Sequence, residues 1–106
     1  MEKWTAPEHL KDATRAWVED ISASYALESH HLRLLVLAGE SWDRICQARE
    51  QVDREGLTIE GRFGVKTHPA VLIEKDNKIL FARLVRELNL DESGPDDPRI
   101  PRRGKV

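Results

Sequence analysis

The stretch GLTIEGRFGVKTHPA, residues 56–70, decides how this chain folds, because it separates two long segments of helical periodicity. Gly56 stands where a helix ends in a left-handed residue just past its last turn. Leu57 and Ile59 then alternate with polar neighbours, as do Phe63 and Val65, which is the period of a strand. Gly61-Arg62 suits a two-residue type II′ turn, so residues 57–66 predict a small β-hairpin. Thr67-His68-Pro69 opens the next helix, with a capping residue ahead of a first-turn proline. A two-stranded ribbon is marginal alone, so this one is expected to pack on helices or pair with another copy.

Upstream, residues 28–55 predict a helix of roughly 40 Å, since nothing from Glu28 to Glu55 breaks it. Leu32, Leu35, Gly39, Trp42, Cys46 and Arg49 recur at alternating three- and four-residue steps, close to a heptad seam. Leu34, Val36, Leu37 and Ile45 fall off that stripe. A helix apolar on several sides requires burial on several sides. Leu34, Val36, Leu37 and Ile45 are therefore expected to form a subunit interface, the alternative being that the other two helices wrap them.

A first helix is expected over about 6–25. Thr5 and Glu8 read as a capping box with Pro7 in the first turn, and Leu10, Trp17 and Ile21 mark its apolar face. A short turn around Tyr25 leads into the second helix. The third helix is expected over about 68–89, through Leu72, Ile73, Leu80, Leu84 and Leu88, with Asn89 as a left-handed cap. Residues 1–90 thus read as a helical core with a hairpin. Residues 91–106, with Pro95, Pro98 and Pro101, read as a flexible tail that has too few apolar side chains to build a core.

At 106 residues, the chain has the length of one domain. Charged residues make up 34% and aromatics 6%, which suits solvated helices. A net charge of −2 gives no bulk attraction to nucleic acid, so DNA binding would need local basic patches. Three candidates stand out: Lys3, Lys11 and Arg15 near the start, Arg62 and Lys66 on the hairpin, and Arg99, Arg102, Arg103 and Lys105 in the tail. Contacts of this kind to phosphate are largely sequence-independent and strongly salt-dependent.

The single cysteine, Cys46, excludes an internal disulfide and fits a reducing compartment. The apolar run from Leu34 to Gly39 is too short to span a bilayer, and the N-terminus lacks a signal peptide's apolar stretch. A cytoplasmic protein without a membrane partner is expected. The adjacent His30 and His31 point about 100° apart on a helix, and His9 and His68 have no ligand-spaced partner, so no metal site is expected. Gly61-Arg62-Phe63-Gly64 lacks the Lys-Ser/Thr of a phosphate-binding loop. No catalytic residues, cofactor or small-molecule substrate are expected.

The order of landmarks resembles the small terminase subunits of tailed phages, in the branch with a hairpin between two helices. Pro7 and Leu10 lead to Trp17, Leu27 opens the long helix, and Gly56 ends it. Gly64-Val65-Lys66-Thr67-His68-Pro69-Ala70 follows the hairpin turn, and Leu84 to Leu90 closes the third helix. Residues 6–90 are covered, and the Gly-x-Lys-x-His-Pro-Ala stretch is the most distinctive part. Where that family commonly has Leu-Gly-Leu and a Thr-Pro turn, this chain has Leu88-Asn89-Leu90-Asp91-Glu92. The N-terminal arm is short, so no helix-turn-helix domain is expected ahead of residue 5. The resemblance implies a non-catalytic, ring-forming homo-oligomer in the host cytoplasm, which binds double-stranded viral DNA and recruits and regulates the large terminase subunit for genome packaging. The residues themselves leave two other readings open: a small helical transcriptional regulator or antitoxin-like dimer, and an interaction module without nucleic acid.

Overall fold

A computed structural model of the chain describes residues 4–90, and the tail expected over 91–106 lies outside them. In chain order it contains helix α1 (Asp12–Ser24), helix α2 (Ser29–Glu55), strand β1 (Thr58–Gly61), strand β2 (Gly64–Thr67) and helix α3 (Pro69–Leu88). The mainly helical fold with one hairpin between the second and third helices is the expected one.

Helix α1 starts six residues later than its local sequence suggested. Thr5 and Glu8 form no capping box, and residues 4–11 instead fold back as an irregular arm. That arm buries Ala6 and Leu10 in the core, and the Ala6 N–H donates to Glu19 Oε2 at 2.9 Å. The true start is fixed from across the molecule. The Asp43 carboxylate, on α2, accepts the Lys11 N–H at 2.9 Å and the Thr14 hydroxyl at 2.5 Å. A carboxylate placed at a helix N-terminus satisfies an orphan donor and complements the helix dipole. Here a distant residue does what a local capping side chain usually does.

Helix α2 opens on Glu28, whose side chain caps the His31 N–H while His31 Nδ1 accepts the Glu28 N–H at 3.4 Å. Its buried residues fall on two stripes. Leu35, Gly39 and Asp43, four apart, face α1. At Gly39 a Cβ would lie 3.1 Å from methyls of both Thr14 and Val18, so the missing side chain is what lets α1 approach this closely. Ala38, Ser41, Ile45 and Ala48 form the second stripe, at three- and four-residue steps, on the side taken by α3.

Helix α3 runs antiparallel along α2. Glu55 meets His68, Arg49 meets Glu74 and Trp42 meets Phe81, while Leu35 and Leu88 lie in one buried cluster. The capping residue of α3 is His68: its Nδ1 accepts the Ala70 N–H at 3.0 Å, with Pro69 in the first turn. Because Nδ1 accepts, the ring proton sits on Nε2, which donates to Glu55 Oε1 at 2.6 Å. This hydrogen bond holds the Glu55 carboxyl below its ordinary value. At the far end Asn89 adopts the left-handed conformation (φ 56°, ψ 47°) and closes the helix, as expected.

Within the hairpin, Thr58 pairs with Thr67, Ile59 with Lys66, Glu60 with Val65 and Gly61 with Gly64. The turn residues are therefore Arg62 and Phe63, one position later than the expected Gly61-Arg62. The positive φ (117°) falls on Gly64, while Gly61 stays in the strand. At its base the hairpin is tied to α3 by the His68 N–H, which donates to the Leu57 carbonyl at 2.8 Å.

Candidate functional site

The apolar excess of α2 is largely absorbed within the chain. Of the four residues expected at a subunit interface, Ile45 is buried on the α3 side, so it has no surface to offer a partner. Leu34 packs against the core cluster and Val36 is half-buried. Only Leu37 is substantially exposed. The alternative reading, helices wrapping α2, describes most of this segment.

Unpartnered apolar surface lies instead on α3 and the hairpin. Ala70, Leu84 and Leu88 are buried, and Glu74 and Phe81 on the same face meet Arg49 and Trp42 of α2. Leu72 and Ile79 recur seven apart and share one side of the helix, and Ile73 and Leu80 share a second, about 100° round from the first. All four are exposed, unlike Leu84 and Leu88 on the same helix. On the hairpin, Leu57 and Val65 are exposed, and Phe63 at the turn is 97% exposed. Exposed large apolar side chains, where they gather, mark contact with another molecule. The paired doublets at 72/73 and 79/80 were the available sequence signal, since a single core-facing stripe has no use for both.

Beside the α2–α3 seam lies a cavity of about 360 Å³, lined by Ala13, Thr14, Trp17, Trp42 and Phe81. The Phe81 ring stands 5.8 Å from Trp17 and 5.2 Å from Trp42, tilted by 41° and 48°. These rings come from three helices, and no pattern along the chain brings them together. Trp42, expected in the core, is 44% exposed because it forms a wall of this opening.

The described basic candidates divide into two places. Lys11 and Arg15 lie on the first turn of α1, and Lys11 is exposed. Arg15 is half-buried, and its Nε is buried without a hydrogen-bond partner, so only part of this guanidinium faces solvent. Arg62 and Lys66 are both exposed on the hairpin. The Arg62 guanidinium lies 5.9 Å from the Phe63 ring centre, and the Lys66 stem lies across Gly61, 3.3 Å from where a Cβ would stand. Lys3, Arg99, Arg102, Arg103 and Lys105 lie outside the described residues.

Among the described residues, no group of three or more His, Cys, Asp or Glu is placed to hold a metal ion. His9 Nε2 pairs with Glu40 at 2.7 Å, and the His30 and His31 rings stack on each other at 4.1 Å. Cys46 is free and half-buried. No helix among them is long and apolar enough to cross a membrane. Compared with protein-family models, with curated proteins and with solved structures, the chain matches none.

Proposed function

We propose that this chain is a non-catalytic oligomeric adaptor that handles double-stranded DNA, in the manner of a small terminase subunit that recruits and regulates its large partner. The observation that carries the reading is the exposure of Leu72, Ile73, Ile79 and Leu80 on α3, together with that of Leu57, Phe63 and Val65 on the hairpin. Leaving it in water is unfavourable by about 25 cal/mol for each Å² that a partner copy would cover. Assembly also multiplies the basic hairpin groups, Arg62 and Lys66, so that a chain of net charge −2 presents a repeated array to phosphate. The resemblance of residues 64–70 to small terminases supplies the finer identity, and with it the ring and the large subunit as partner.

Light scattering after size exclusion tests the assembly, with a multimer expected at micromolar concentration. A gel-shift titration with duplex DNA tests the DNA role, with binding expected at low salt and lost steeply at moderate salt. A multimer that shifts no DNA at low salt leaves a protein adaptor only. A monomer at high micromolar concentration removes the reading.

A further inference from the structure

The hairpin turn and the aromatic cavity complement each other, and they do not meet within one chain. Phe63 stands 97% exposed at the end of a paired hairpin, so its ring is presented to the exterior as a knob. The cavity bounded by Ala13, Thr14, Trp17, Trp42 and Phe81, of about 360 Å³, is at the small end of ligand-binding cavities. That size suits one aromatic side chain rather than a helix. Its rings are tilted by 41° and 48° and not stacked flat, the arrangement in which a further ring finds both edges and faces.

We propose that Phe63 of one copy seats in the Trp17–Trp42–Phe81 cavity of a second copy, joining chains knob to pocket; this rests on the assembly reading above. Charge on the flanking helix α1 favours the same partner. Arg62 accompanies the knob, with its guanidinium 5.9 Å from the Phe63 ring. Asp20, exposed and one turn beyond Trp17, stands on the side of α1 that carries Ala13 and Trp17. Lys78 on α3 is already paired with Glu74 at 2.9 Å, so it opposes Arg62 weakly. Knob and pocket are different surfaces, so the contact is heterologous. It closes into a ring where the rotation between copies allows, and otherwise extends as a filament.

The test uses the full chain with Phe63→Ala, which removes the knob, and Ala13→Phe, which fills the cavity from an exposed helical position. Circular dichroism confirms that each variant is folded, and light scattering after size exclusion reads assembly. Each single variant is expected to weaken association roughly thirtyfold, as loss of an interface hot spot does. Mixing the two restores one joint only, because one variant keeps the pocket and the other keeps the knob, so a heterodimer that grows no further is expected. If the wild type assembles and Phe63→Ala assembles equally well, the knob is refuted while the adaptor reading stands. If Phe63→Ala weakens assembly and Ala13→Phe does not, Phe63 binds elsewhere and the pocket assignment falls. A wild type that stays monomeric removes both, and leaves the cavity to a small apolar ligand or another protein's side chain.

Discussion

Replacing Asp43 with alanine removes the group on α2 that fixes where α1 begins. Two hydrogen bonds disappear, from the Lys11 N–H at 2.9 Å and from the Thr14 hydroxyl at 2.5 Å. Lys11 is exposed, so water can take its N–H, and that loss should resemble a missing helix cap, about 1 kcal/mol. Thr14 is only 5% exposed, so its hydroxyl is left without a partner, at about 1–3 kcal/mol. The sum predicts a loss of about 2–4 kcal/mol in urea denaturation at fixed protein concentration. Thr14→Val by itself should cost less, because Asp43 keeps the Lys11 bond. In the double variant no buried hydroxyl remains, so the combined loss should fall short of the sum by at least about 1 kcal/mol. Asp43→Asn keeps an acceptor for Lys11 and should lie between wild type and alanine. A loss below about 0.5 kcal/mol for Asp43→Ala, or strict additivity in the cycle, would refute the claim that this carboxylate caps α1.

The remaining predictions concern the other joints of the fold. The Glu55 carboxyl is held below its ordinary value of 4.5 by the His68 hydrogen bond, so its contribution is present above that value and is lost as pH falls through the lowered one. Glu55→Gln should therefore flatten the acid side of the stability–pH curve, and an unchanged acid limb in a denaturation series would disprove the link. Gly39→Leu should cost at least about 1–3 kcal/mol, since its Cβ alone already stands 3.1 Å from the Thr14 and Val18 methyls; a neutral melting temperature would show that α1 moves aside freely. Trp42→Ala should cost clearly less than the ~3–5 kcal/mol of a fully buried tryptophan, because Trp42 is 44% exposed, and a full core-sized loss in denaturant would mean that the cavity is closed in solution.

Much of the architecture was legible because its signals are local. The span of α2, the hairpin, the Pro69 start of α3 and the Asn89 stop each depend on residues within a few positions of one another. The start of α1 was misread because its cap comes from Asp43, far along the chain, while Thr5, Pro7 and Glu8 imitate a local start. The turn was misplaced by one position because Gly61 and Gly64 both offer a glycine, and only strand pairing decides which one takes the positive φ. Periodicity showed that α2 is apolar on several sides, but not that its own neighbours cover them. On α3 the doublets at 72/73 and 79/80 show two apolar sides, but periodicity does not say which of them stays exposed. At the candidate sites, the basic residues were visible as composition, whereas the cavity joins Trp17, Trp42 and Phe81 from three separate helices.

The antiparallel run of α3 along α2 also sets an order of events. Glu55 and His68, 13 positions apart, close the shortest loop between the two helices. Arg49 with Glu74, Trp42 with Phe81, and Leu35 with Leu88 follow at steadily larger separations. Once the first pair has formed, each later pair needs only about two further turns of each helix to align, so the entropy of closing the chain is spread over small steps. The two helices can zip together from the hairpin outward. Amide protons should nevertheless exchange slowest around Leu35, where α1 adds its cover, and soonest beside the exposed hairpin.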